Sequence, residues 1–122
     1  MAFKFENLKI WKESVKFASE MYTLTKRFPK SEQYNLTSQL NRAAVSISLN
    51  IAEGEGRRSD GDLKRFIQIA IGSLNEVVTI LFIAKDQKYI NESECDTFYK
   101  RCEHISKMLH SFRNYLKGEI KL

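Results

Sequence analysis

Ala43-Ala44-Val45-Ser46-Ile47-Ser48-Leu49-Asn50-Ile51-Ala52 is a run of ten residues without a formal charge, and it leads directly into Glu53-Gly54-Glu55-Gly56-Arg57-Arg58. On a helical wheel at about 100° per residue, Leu36, Leu40, Ala43, Ala44, Ile47 and Ile51 form one apolar stripe. Val45, Leu49 and Ala52 form a second, set apart from the first by Gln39, Arg42, Ser46, Asn50 and Glu53. A helix uncharged on every side has no face suited to water. The first stripe serves the chain's own core. The second, with the polar row beside it, calls for another buried surface, and in so short a chain a neighbouring copy is the expected supplier.

Outward from that segment, helical spacing recurs three more times. Upstream, Leu8, Trp11, Val15, Ala18, Tyr22 and Thr25 predict a helix over about Phe5 to Phe28, ended by Pro29. Ser31 is placed to cap the second helix, which is expected to continue to about Glu53, where the glycines at 54 and 56 stop it. Ser59, Asp60 and Asp62 cap and charge the start of a third, with Leu63, Phe66, Ile67, Ala70, Leu74, Val77, Leu81 and Ala84 on one side. Gly72-Ser73 within it is read as a place of close helix approach. Asn91 and Glu94 form a capping pair for a fourth, striped by Cys95, Phe98, Cys102, Ile105, Leu109, Phe112 and Leu116. No strand pattern competes. Four amphipathic helices with short connectors predict an all-α, antiparallel up-down-up-down four-helix bundle, with residues 1–122 as one domain.

Composition narrows the chemistry. A hydrophobic fraction of 43% with 29% charged residues is that of an ordinary globular chain. Met1 to Glu6 holds no apolar run of the signal-peptide kind, which makes a cytoplasmic location the expectation. Phe66 to Ala84 is the least polar segment, yet Gln68, Ser73, Asn75, Glu76 and Thr79 interrupt it, so a buried helix is expected rather than a membrane partner. Cys95 and Cys102 stand about 10 Å apart along a helix at 1.5 Å per residue, too far for a disulfide, and are read as packing residues. His104 and His110 diverge by about 120° on the wheel and cannot share a metal. With no Walker loop, nucleophile elbow or Glu-x-x-His pair, no catalytic residue, metal or cofactor is expected, and the chain is read as a non-enzyme.

Phe28-Pro29, then Leu36-Thr37-x-Gln39-Leu40-x-Arg42-Ala43-Ala44-x-Ser46-Ile47-x-x-Asn50-Ile51-Ala52-Glu53-Gly54, and later Phe66 to Gly72-Ser73-Leu74-x-Glu76 resemble the four-helix bundle proteins encoded in the intervening sequences of bacterial 23S rRNA genes. The resemblance spans roughly Phe5 to Tyr89. It implies a bacterial, cytoplasmic protein without established enzymatic activity that assembles as a ring, commonly a homopentamer. The chain is more distantly similar to the accessory protein of diversity-generating retroelements, which implies nucleic acid and a nucleic-acid-processing protein as partners. It departs from the first family's pattern at Glu55, where an aromatic is common, at Ile71, where a basic residue is, and at Ser48, where proline is. The serine is expected only to straighten the helix.

Charge points to where a partner would sit. Residues 1–30 carry seven Lys or Arg against three acids, residues 31–99 seven against ten, and residues 100–122 six against two. In an up-down-up-down bundle the first and last helices are neighbours. Lys9, Lys12, Lys16, Lys26 and Arg27 are therefore expected to share a basic surface with Lys100, Arg101, Lys107, Arg113 and Lys117. The competing reading is a set of solvated helix faces. Arg42, Val45, Ser46, Leu49, Asn50, Ala52, Glu53 and Glu76 are assigned to an oligomer interface or buried polar network. Two functions follow: an RNA-associated accessory oligomer, or a protein-interaction scaffold ring whose charge serves solubility.

Overall fold

The computed structural model describes residues 2–116; Lys117, one of the basic candidates, lies outside them. Four helices account for most of these residues: α1 (Lys9–Thr25), α2 (Leu36–Glu55), α3 (Asp60–Asp86) and α4 (Glu92–Leu116). Single 3-10 turns at Lys4–Asn7 and Lys30–Glu32 precede α1 and α2, and no strand occurs among the described residues. The fold is an all-α four-helix bundle. α1 packs on α2, α2 on α3 and α3 on α4, and α1 meets α4 more sparsely to close the bundle. Cross-helix bonds join Gln39 to Glu76 and Ser46 to Ser73, and Arg113 to Gln68 while Cys95 meets the Leu81 carbonyl. Numbers rise on one helix as they fall on the next, the order that connectors this short impose.

Each helix begins and ends for a local reason. The Ser59 hydroxyl accepts from the Asp62 N–H at 3.1 Å, so α3 starts where expected. Before α4, the Asn91 side chain accepts from the Glu94 N–H at 2.8 Å and the Glu94 carboxylate accepts from the Asn91 N–H at 2.9 Å, a reciprocal capping box. Between them, α3 closes through the Tyr89 N–H to the Ala84 carbonyl at 2.9 Å, with Lys88 in the left-handed region at φ 65°.

Three expectations shift. Ser31 does not cap α2. That helix starts five residues later at Leu36, whose N–H is accepted by the Glu32 carboxylate at 3.3 Å, while Tyr89 donates its hydroxyl proton to the other Glu32 oxygen at 2.8 Å. The glycine at 54 does not stop α2 either: the helix passes through it to Glu55. A Cβ there would stand 2.8 Å from the Phe66 Cβ, so Gly54 permits a close approach of α2 and α3. Gly72, expected to play that part, is open, with nothing within 4 Å of where its Cβ would be.

The core takes the first stripe of α2 and the expected row of α3, with Leu40, Ala44, Ile47, Ile51, Ile67, Ala70 and Val77 fully enclosed. α3 has the length and hydropathy of a membrane span, but Leu63, Ile71, Leu74, Ile80, Leu81 and Ala84 are also buried by the neighbouring helices. On α1 the main buried row lies one residue before the expected one: Ile10, Ser14, Phe17, Met21 and Leu24 face inward, while of the expected residues Thr25 is buried, Leu8, Trp11 and Ala18 pack partly against the core, and Val15 and Tyr22 are exposed. Ser14 is tolerated there because its hydroxyl donates to the Ile10 carbonyl at 2.7 Å.

Candidate nucleic-acid interface

The sparse seam between α1 and α4 is held by charge. Arg101, half-buried on α4, reaches across to two carboxylates of α1: its Nε donates to Glu20 at 3.1 Å and its Nη1 to Glu13 at 3.3 Å, with Nη2 also on Glu20. The guanidinium lies over the Phe17 ring, 5.9 Å from its centre. Desolvation opposes the Arg101 charge, but the bonds from Glu20 and Glu13 outweigh it and its pKa rises. At the far end of the seam, Arg27 in the turn after α1 is paired with Glu94 of α4 by two bonds. Arg27 and the Asn91 N–H hold the Glu94 carboxyl below its ordinary range.

The ten basic candidates therefore divide. Arg27 and Arg101 are committed to carboxylates across the seam, and half-buried Arg113 donates to Gln68 and Asn114. Lys9, Lys12, Lys16, Lys26, Lys100 and Lys107 are exposed, and no carboxylate among the described residues lies within ion-pair distance of them. Lys9, Lys12 and Lys16 repeat at i, i+3 and i+7 along α1, and Lys100, His104 and Lys107 at i, i+4 and i+7 along α4, so each set forms one row. Arg101 binds both Glu13 and Glu20 and so offsets one of the two negative charges that α1 places between the rows. Lys9 and Lys107 flank one groove of about 350 Å³, walled by Leu8, Ile10, Met108, Ser111 and Phe112. Sequence reasoning missed this groove. Its signal was the pair of apolar residues, Leu8 and Met108, set beside the buried rows.

On the opposite side of the bundle, the polar row of α2 is split. Ser46 and Ser73 hydroxyls meet at 2.9 Å, and the Asn50 amide donates to the Ser46 carbonyl at 2.7 Å and to its hydroxyl at 2.9 Å, a half-buried trio that joins α2 to α3. Glu53 pairs with Arg57 at the exposed end of the helix. Gln39 donates to exposed Glu76 at 3.4 Å, and Arg42 lines the same open cleft of about 540 Å³. Beside this row Leu49 is 61% exposed and Ile69 of α3 46%, with Val45 and Ala52 half-buried.

Cys95 and Cys102 are buried and unbridged, and burial pushes the Cys102 thiol up to about 12, which keeps it protonated. No group of three or more His, Cys, Asp or Glu able to hold a metal occurs among the described residues. His104 is exposed, and half-buried His110 bonds through Nδ1 to the Ser106 carbonyl on its own helix at 2.8 Å.

The model of the 23S rRNA-intervening sequence protein family matches residues 6–111. Among solved structures, the chain is similar to a protein from the S23 ribosomal protein family of Bacteroides thetaiotaomicron VPI-5482, at 25% identity and a TM-score of 0.79, over 85% of this chain and 97% of that one. No curated protein matches.

Proposed function

The chain belongs to the 23S rRNA-intervening sequence protein family, and from that membership we propose that it acts as a non-catalytic, RNA-associated accessory protein working as a homo-oligomer. One observation carries the reading: the surface is divided between two opposite sides of the bundle. The α2–α3 side offers Leu49, Ile69, Val45 and Ala52 around the trio of Ser46, Asn50 and Ser73. The α1–α4 side offers the two lysine rows. The first suits a second copy, because large apolar side chains next to already satisfied polar groups lose little on being covered. Gly72 supports it. Glycine inside a helix costs about 1 kcal/mol relative to alanine, and this one relieves no contact among the described residues. It leaves room for a surface arriving from outside.

The second side suits a polyanion. A ring of five, the number the resemblance implies, would gather five charges of +5 into about +25, and phosphate binding by such a particle proceeds by counterion release. The test is filter binding of a structured RNA across a salt series. Affinity is expected to fall steeply as salt rises, and the joint substitution of Lys9, Lys12, Lys16, Lys100 and Lys107 by Ala is expected to flatten that slope and lower low-salt affinity at least tenfold, about two phosphate contacts' worth. Undiminished binding by that variant overturns the assignment of RNA to the lysine rows; no binding by the native chain at low salt overturns the RNA reading and leaves the scaffold reading, in which the exposed apolar face serves a protein ring alone.

A further inference from the structure

Resting on the proposed RNA reading, we propose that the groove between Lys9 and Lys107 receives an unstacked base, so that this protein prefers single-stranded or looped RNA to a duplex. The groove is an apolar depression bordered by both lysine rows. It is lined by Leu8, Ile10, Met108 and Phe112 together with Lys9, Lys107 and Ser111. At about 350 Å³ it falls at the lower end of small-ligand clefts.

Two features of this place matter together. Apolar walls alone would accept any greasy group. Set between cations on adjacent helices, they accept an apolar plate that carries anions on either side of it, which describes a nucleobase and its flanking phosphates. Single-strand binders combine these two elements, a positive track for the backbone and aromatic or apolar surfaces against which successive bases lie. A paired base cannot enter, since its faces are covered by its neighbours in the stack. Along α1 the ammonium groups recur about every 5 Å, from a rise of 1.5 Å per residue, so the row from Lys9 to Lys16 offers a backbone track leading away from the groove. Between the rows, Arg101 holds Glu13 and Glu20 and offsets one of their two charges, which lessens the repulsion a passing strand meets.

The probe is an unstructured RNA of about twelve nucleotides, within the span a single-strand surface covers, compared at equal salt with the same strand annealed to its complement. Fluorescence anisotropy is expected to show the single strand bound about fivefold or more tightly. Phe112→Leu and Met108→Gln leave every charge in place; each is expected to erase that preference while leaving duplex binding and the salt slope as they were. Circular dichroism verifies that both variants are folded, and Met108→Gln, on the half-buried rim, serves should Phe112→Leu lose its helices. Equal affinity for the two forms, or a preference that survives both substitutions, overturns the base-pocket assignment while the lysine rows stand. Absence of binding to either form overturns the RNA reading with it.

Discussion

Gly54 and Gly72 show how far one residue type can differ in meaning. At Gly54 an added Cβ would press on the Phe66 Cβ at 2.8 Å and on a Leu63 methyl at 2.9 Å. The leucine can turn aside, but the Phe66 contact is next to backbone and can be relieved only by moving α3. Gly54→Ala is therefore expected to destabilise the protein by about 1–3 kcal/mol, read as a lower urea midpoint. Gly72→Ala meets open space and should leave protomer stability equal or higher, while weakening assembly. Equal effects of the two substitutions would contradict this distinction. Both glycines stood out in the sequence, but which of them met another helix depends on the register of α2 against α3. Ser14 was illegible for a related reason: a hydroxyl in the middle of a core row reads as an interruption until its bond to the Ile10 carbonyl is seen.

Among elements, α2 and α3 were the most legible and α1 the least. On α2 the row from Leu40 to Ile51 is buried and Leu49 lies on the far side, as spacing alone predicts. α1 carries two apolar rows a single residue apart, and periodicity cannot choose between them. Phe17 and Met21 go inside, and the bulkier Trp11, with Ala18, packs only at the margin. The start of α2 was missed because its acceptor, Glu32, is an acid four residues upstream rather than a hydroxyl in the capping position. The α1–α4 seam has its own test. Glu94 has its pKa lowered in the folded protein by Arg27 and the Asn91 N–H. Its stabilising effect is thus fully present above the unfolded pKa, near 4.5, and is lost as pH falls through the lower folded value. Thermal unfolding followed by circular dichroism should show the midpoint dropping below that pH. Glu94→Gln should begin from a lower midpoint at neutral pH and show a shallower drop. A variant curve parallel to the native one would place the acid sensitivity elsewhere.

At the scale of the whole molecule, the order of the helices followed from connector length, and the terminal concentration of basic residues became a single side of the bundle because α1 and α4 are neighbours. The formal count could not show that Arg27, Arg101 and Arg113 are spent inside the protomer. Arginine and lysine are equal in such a sum, but arginine's fork suits it to hold carboxylates and amides across a seam. What remains is a bundle with an exposed apolar patch on its α2–α3 side and exposed lysines on its α1–α4 side, and assembly requires that patch to be covered by copies of the same chain. Light scattering on a sizing column at micromolar concentration tests that claim most directly. The native protein is expected at a multiple of its 14.3 kDa protomer mass, and Leu49→Asp at the protomer mass itself with its helicity retained. A native particle of 14.3 kDa would contradict the account.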